Sequence, residues 1–275
     1  MSKLIVEKKD KFEKGIDIKI DTTIISQNNM TFIAGPCSVE DKIIMDEIAH
    51  FLKEQNVFFI RGGAYKPRTS PYSFQGYGVK GLEIIREVAN KYKLKVVTEA
   101  NSEKNLEMVK KYSDIIQIGS RNSQNFELLK QVAKTDKPIL LKRGFMNNLE
   151  EFIYSAEYIA KENNKNIILC ERGIRTFENS TRNTLDISSI PILKRRTILP
   201  IISDPSHAAG RRDIIEELTY ASIAAGANGI MLEIHPKPEI AISDSNQTID
   251  FRTFERIYKN SQALFKIIQE VNHEK

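Results

Sequence analysis

The chain has 275 residues, enough for a large buried core, and its net charge of +5 comes from 41 Lys and Arg set against 36 Asp and Glu. That near-balance, with no basic stripe interleaved with aromatics, argues against a nucleic-acid binder, which concentrates positive charge on one face. Two cysteines exclude a disulfide framework and fit a reducing compartment, while the polar residues 1–15 and the lack of a long apolar run exclude a signal peptide and a membrane span, so a cytoplasmic protein is expected.

In chain order, Ile16, Ile18 and Ile20 alternate with Asp17, Lys19 and Asp21, the period of a strand. Residues 1–30 are too few for an independent domain and predict a short N-terminal β extension. From residue 31 onward, β-branched apolar runs at 31–34, 57–60, 95–98, 115–118, 138–142, 166–170, 199–203 and 229–234 alternate with amphipathic segments at 39–54, 79–92, 103–111, 125–135, 148–162 and 213–225. Continuously apolar strands are buried on both faces and therefore parallel. Eight of them predict a closed (β/α)8 TIM barrel over residues 31–275, α/β in class, in preference to an open Rossmann sheet. The N-terminal extension is expected to cover the bottom of that barrel. Phe254, Ile257, Tyr258, Leu264, Phe265 and Ile268 fall at helical spacing and predict a final helix packed on the barrel.

In such a barrel the loops beyond the C-terminal strand ends carry the site. The richest is Arg61-Gly-Gly-Ala-Tyr-Lys-Pro-Arg-Thr-Ser70, a glycine- and proline-threaded loop with three cations. With Arg121, Lys142 and Arg172 it gives six cations at four strand ends. Each one alone is as consistent with a salt bridge as with a ligand contact. Together they suit ligands bearing several negative charges, such as phosphates and a carboxylate.

A second chemistry lies in Cys37, His207, Glu233 and Asp244, from the ends of the first, seventh and eighth predicted strands, which neighbour one another in a closed sheet. A thiolate, an imidazole and two carboxylates suit a borderline divalent ion such as Mn, Fe, Co or Zn. Taken alone, a residue such as Cys37 is more often a small buried one, and His207 could simply cap a helix.

The motifs Ala34-Gly-Pro-Cys-Ser38, Arg61 to Ser70, Gln117-Ile-Gly-Ser-Arg-Asn122, Leu141-Lys-Arg-Gly144, Cys170-Glu-Arg-Gly173 and Asp204-Pro-Ser-His207 occur in order from about residue 30 to the end. They resemble the 3-deoxy-D-arabino-heptulosonate 7-phosphate (DAHP) synthases of type I, β-subgroup, whose barrel is shared by the 3-deoxy-octulosonate 8-phosphate synthases. The resemblance implies condensation of phosphoenolpyruvate with erythrose 4-phosphate, the first step of the shikimate pathway towards chorismate and the aromatic amino acids. It implies a divalent metal on Cys37, His207, Glu233 and Asp244, and phosphoenolpyruvate held by Arg61, Lys66, Arg121, Lys142 and Arg172. Arg68 and Thr69 would bind the aldose phosphate and Asp204 its hydroxyls. Lys66, between the two substrate sites, is the candidate for proton transfer. A homotetramer is implied as well.

The octulosonate synthases usually read Lys-Ala-Asn-Arg-Ser where this chain has Lys66-Pro-Arg-Thr-Ser70, so Pro67 and Thr69 favour erythrose 4-phosphate over arabinose 5-phosphate. Cys37, in place of the asparagine of metal-independent octulosonate synthases, favours metal dependence. With about 30 residues before the barrel, no N-terminal regulatory domain is expected, and with it no feedback inhibition unless a separate protein supplies it. A Schiff-base aldolase is the mechanistic rival: Lys142 would be its amine, with Arg143 lowering the amine pKa.

Overall fold

The computed structural model describes residues 4–273. The expected ends of the extension and the barrel, residues 1–3 and 274–275, lie outside that range. The strands are β1 (Ile18–Ile20), β2 (Thr23–Ile25), β3 (Thr31–Gly35), β4 (Phe59–Arg61), β5 (Lys95–Glu99), β6 (Ile115–Ile118), β7 (Ile139–Lys142), β8 (Ile167–Glu171), β9 (Ile201–Ser203) and β10 (Gly229–Glu233). The helices are α1 (Lys42–Glu54), α2 (Val79–Tyr92), α3 (Glu103–Tyr112), α4 (Phe126–Ala133), α5 (Leu149–Lys161), α6 (Ser189–Arg196), α7 (Pro205–Ala209), α8 (Ile215–Ala224) and α9 (Phe251–His273). β3 to β10 pair in parallel and close into a barrel, β10 returning to β3 with Gly229 opposite Thr31 and Glu233 opposite Gly35. The expected (β/α)8 barrel is therefore the observed one.

The two-residue period of a strand sorts its side chains into two cores. Ile33, Phe59, Val97, Ile115, Leu140, Ile168, Ile202 and Met231 fill the lumen. Their alternates, among them Phe32, Ile60, Val96, Ile116, Leu141, Leu169 and Leu232, face outward into the core shared with the helices. The antiparallel β1–β2 hairpin delivers Ile18, Ile20 and Ile25 into the lumen core and closes its lower end. The N-terminal β element thus covers the bottom of the barrel, and each of its fully buried isoleucines contributes about 1.5–3 kcal/mol. At the other end of the chain, Phe32 of β3 meets Tyr258 and Phe254 of α9 edge-to-face, with ring centroids 4.9 and 6.1 Å apart.

Two helices escape a reading by periodicity. α6 is only eight residues long, buries little beyond Ile190 and Leu193, and carries Pro191 in its first turn, where the missing N–H costs no hydrogen bond. α7 has five residues, with Asp204 capping it and Pro205 opening it. Neither is long enough to display a period. Among the described residues, no helix is long and apolar enough to cross a membrane.

Candidate active site

The period that fills the lumen also builds the mouth of the barrel. One step of two residues beyond each lumen side chain the chain leaves the apolar core. Phe59 leads to Arg61, Val97 to Glu99, Ile115 to Gln117, Leu140 to Lys142, Cys170 to Arg172, Ile202 to Asp204, and Met231 to Glu233. Gly35 makes the corresponding step on β3. Its φ is +150°, and a Cβ there would meet the Arg61 carbonyl oxygen at 2.1 Å, so only glycine lets β3 turn towards Cys37 beside β4.

A cavity of about 290 Å³ opens above this layer, and all six expected cations line it: Arg61, Lys66, Arg68, Arg121, Lys142 and Arg172. Thr69, His207 and Asp244 line it too. Phe145, Arg182 and Gln117 line it as well and were not among the expected site residues. Phe145 follows Lys142-Arg143-Gly144 in the loop beyond β7, a position its strand end could have flagged. The Arg121, Arg172 and Arg175 guanidiniums lie 5.7, 4.7 and 5.3 Å from its ring centre. Arg182 sits in the irregular stretch before α6, where no pattern marked it, and reaches within 3.7 Å of Asp244. Gln117, quoted in a motif, donates to Glu99 at 2.8 Å in the cavity wall.

The cations are not all unpaired. Arg61 is buried against Glu233, 2.6 Å away, and Lys142 against Asp204, 2.5 Å away. Arg68 lies 3.7 Å from Asp244 and also donates to Ser243. Arg172 differs: among the described residues no acid is in contact with it, and it donates to the carbonyls of Gly173 and His207 at 3.3 and 3.0 Å. Burial pulls its guanidinium down to about 10. Arg121 donates to Thr69 at 3.4 Å.

Arg143 does not sit beside Lys142 in space. Being one residue out of step it points out of the barrel, 2.8 Å from both Glu171 and Asp186. The expectation that Arg143 activates Lys142 as a Schiff-base amine is corrected accordingly, since the contact of Lys142 is with an acid. The Cys170 side chain belongs to the lumen core and lies below this layer.

Cys37, His207, Glu233 and Asp244 converge, each offering a donor atom within 4.8 Å of the others. The His207 Nε2 lies 3.2 Å from Glu233 Oε1, and the Cys37 thiol donates to Asp244 Oδ2 at 3.0 Å. Lys66 Nζ donates to the Cys37 sulfur at 3.1 Å and to its carbonyl at 3.0 Å. Electrostatics suit a cation. Burial opposes charge on Glu233 and Asp244, yet His207 and Arg61 for the first, and the Cys37 thiol and His207 for the second, hold both below the usual carboxylate range. Burial also pulls His207 down, which favours the neutral imidazole that ligates. Burial, with Glu233 adding to it, pushes the Cys37 thiol up to about 12, so the thiolate requires a metal in place of its proton. A soft sulfur, one imidazole and two carboxylates in a common sphere fit a borderline divalent ion.

Asp204, like the metal-cluster residues Cys37 and Glu233, does not line the cavity. It is fully buried beneath the lining, with its oxygens engaged by Lys142, by His207 Nδ1 at 2.8 Å and by the His207 backbone N–H at 3.0 Å. A direct reach to substrate hydroxyls does not match that position. Burial works against its charge, but His207 and Lys142 more than offset this and hold it well below the usual range.

A family model described as the DAHP synthetase I family matches residues 7–270. A phospho-2-dehydro-3-deoxyheptonate aldolase of Thermotoga maritima is 58% identical over 240 residues, covering 87% of this chain and 71% of that protein. A 2-dehydro-3-deoxyphosphooctonate aldolase of Fusobacterium nucleatum is more distant, at 28% over 266 residues, 89% of this chain and 94% of that protein. The crystal structure of the Thermotoga maritima phospho-2-dehydro-3-deoxyheptonate aldolase (DAHP synthase) superposes with a TM-score of 0.93 at 53% identity, over 97% of this chain and 78% of that one. A truncated form of 3-deoxy-D-arabino-heptulosonate 7-phosphate synthase from the same organism gives 0.89 at 50% identity, over 96% and 97% of the two chains. By its matched length, its identity to these relatives and its barrel, the chain belongs to the DAHP synthetase I family.

Proposed function

We propose that the chain is a metal-dependent DAHP synthase, joining phosphoenolpyruvate, erythrose 4-phosphate and water into 3-deoxy-D-arabino-heptulosonate 7-phosphate and inorganic phosphate. The observation that carries the reading is the pairing of a six-cation cavity with an adjoining thiol, imidazole and two-carboxylate cluster. Phosphoenolpyruvate brings a phosphate and a carboxylate, and erythrose 4-phosphate a second phosphate. Two such anions repel in water, and fixed guanidinium and ammonium groups offset that repulsion while aligning the reacting carbons.

Arg61, Lys66, Arg121, Lys142 and Arg172 take the phosphoenolpyruvate anion in this reading, with Arg172 the foremost because no acid already neutralises it. Arg68 and Thr69, at the outer side of the same cavity, take the aldose phosphate. A divalent ion held by Cys37, His207, Glu233 and Asp244 supplies Lewis-acid polarisation of the aldehyde or of water. C3 of phosphoenolpyruvate bonds to the aldehyde carbon, water adds at C2, and phosphate leaves with cleavage of its C–O bond. Lys66 Nζ, next to Cys37 and on the cavity wall, is placed to move a proton at the aldehyde oxygen. Asp204 acts from below, holding Lys142 and His207 in register. The site is assigned to Mn, Fe, Co or Zn, and the assembly to a homotetramer, on the family resemblance and the donor chemistry.

The substrate choice is tested by phosphate release from phosphoenolpyruvate with each aldose phosphate in turn. Release with erythrose 4-phosphate and at most a trace with arabinose 5-phosphate is expected. Equal or greater turnover with arabinose 5-phosphate would reassign the chain to octulosonate chemistry.

A further inference from the structure

Glu40 lies three residues beyond Cys37 and is buried, with the His235 ring facing its carboxyl group. His235 is itself fully buried, two residues past Glu233. The Lys237 backbone N–H donates to His235 Nδ1 at 3.0 Å, which leaves the ring proton on Nε2, facing Glu40 Oε2 at 3.4 Å. The other oxygen, Oε1, accepts from the backbone N–H of Ile242 at 3.1 Å. One carboxyl group therefore grips both the start and the middle of the loop that leaves β10, and that loop carries Asp244.

Asp244 receives such support. Its φ is +55°, a left-handed conformation uncommon outside glycine, although Asp is among the residues that adopt it most readily. On its far side, the Thr248 hydroxyl and the Gln247 N–H both donate to the Asp244 carbonyl, at 3.0 and 3.2 Å. On its near side, the bond from Ile242 to Glu40 fixes the backbone two residues earlier. The base of the loop is closed by His235 N–H to the Ile249 carbonyl at 3.1 Å. Glu40 thereby couples the loop that bears Cys37, after β3, to the loop that bears Asp244, after β10.

Resting on the metal-site reading of Cys37, His207, Glu233 and Asp244, we propose that Glu40, with His235, is a positioning residue for the metal centre. It does not touch the ion. It holds the Asp244 loop so that Asp244 arrives beside Cys37, and it makes the spacing of these two ligands a property of one buried contact.

The test is a double-mutant cycle on the full, metal-stripped chain, with Mn²⁺ affinity read by titration calorimetry. Glu40→Ala is expected to raise the Mn²⁺ Kd at least tenfold, about 1.4 kcal/mol, in the wild-type background. In an Asp244→Ala background the same change is expected to raise it less than twofold, because the residue Glu40 positions is gone. Equal weakening in both backgrounds, or none in the first, overturns the proposal. Glu40→Gln keeps an acceptor for Ile242 and is expected to give a smaller increase, again abolished by Asp244→Ala; it serves as the cycle if Glu40→Ala does not fold. Absence of Mn²⁺ binding by the wild-type chain would overturn the ligand set as well, whereas binding that ignores Glu40 overturns this proposal alone.

Discussion

Asp204 Oδ2 stands 2.8 Å from Nδ1 of His207, and the opposite ring nitrogen faces Glu233 at 3.2 Å. The buried carboxylate commits Nδ1 to carrying the proton and leaves Nε2 as the donor to a metal. Asp204→Asn removes the charge that fixes this tautomer, and loss of such an outer partner typically weakens metal binding about 10–100-fold. It also strands the buried Lys142 ammonium, at a cost of about 3–5 kcal/mol. Mn²⁺ titration and urea unfolding of the variant measure the two effects separately. Unchanged metal affinity would remove Asp204 from the support of the centre.

Among the described residues, Arg172 is a buried cation of the cavity with no acid in contact. Charge-assisted hydrogen bonds contribute about 1.5–3 kcal/mol each, so Arg172→Ala is expected to raise the phosphoenolpyruvate Kd about 10–100-fold. The same change relieves the cost of burying an unneutralised guanidinium, so the urea midpoint of the ligand-free protein stays equal or rises. Calorimetric titration of phosphoenolpyruvate into chelator-treated protein gives the first number. A Kd within twofold of wild type would contradict the assignment.

Much of this site is legible in the sequence because the barrel writes a period of two into it. Once Leu140 is placed in the lumen, Lys142 is placed at the mouth, and the same step takes Phe59 to Arg61 and Met231 to Glu233. The cations and the four metal donors emerge from strand ends and the loops beyond them in this way. Pairing within the layer does not, because it depends on which strand ends meet across the mouth. Asp204 reads as a residue facing ligand, yet closure of the barrel sets it under Lys142 and His207. Arg143 is next to Lys142 in sequence but across the sheet from it in space, as the strand period itself requires. Phe145 and Arg182 lie in loops without periodicity, where position relative to the cavity is a tertiary fact. α6 and α7 are illegible for the same reason: eight and five residues are too few to show 3.6-residue spacing.

Ile18 is fully buried in the lumen core, at the end of the barrel opposite the cavity. Ile18→Ala leaves a void in a closed space that cannot collapse, and about 2–5 kcal/mol of stability is expected to be lost. Because the hairpin supplies none of the lining residues, kcat/KM should remain within about twofold at 25 °C. Urea unfolding and initial rates on the same preparation test both halves. A large loss of activity without loss of stability would assign the hairpin a role beyond closing the barrel.

Asp186 is held below the ordinary Asp value: partial burial opposes this, but the bonds from Arg143 and Ser188 prevail. A depressed folded pKa adds stability that is present above the unfolded value of about 3.9 and lost as pH falls through the folded value. Asp186→Asn is therefore expected to lower the urea midpoint most at pH 7 and progressively less below about pH 4. A deficit independent of pH would mean that shape, and not charge, is what the residue contributes.

In the proposed function, one cavity condenses two anionic substrates beside a metal on Cys37, His207, Glu233 and Asp244. The most direct test is the initial rate of phosphate release from phosphoenolpyruvate with erythrose 4-phosphate, measured before chelation, after EDTA treatment and after Mn²⁺ is restored. Turnover that EDTA abolishes and Mn²⁺ returns is expected. Turnover that survives complete removal of metal, or no turnover with erythrose 4-phosphate under any of the three conditions, would contradict the proposed function.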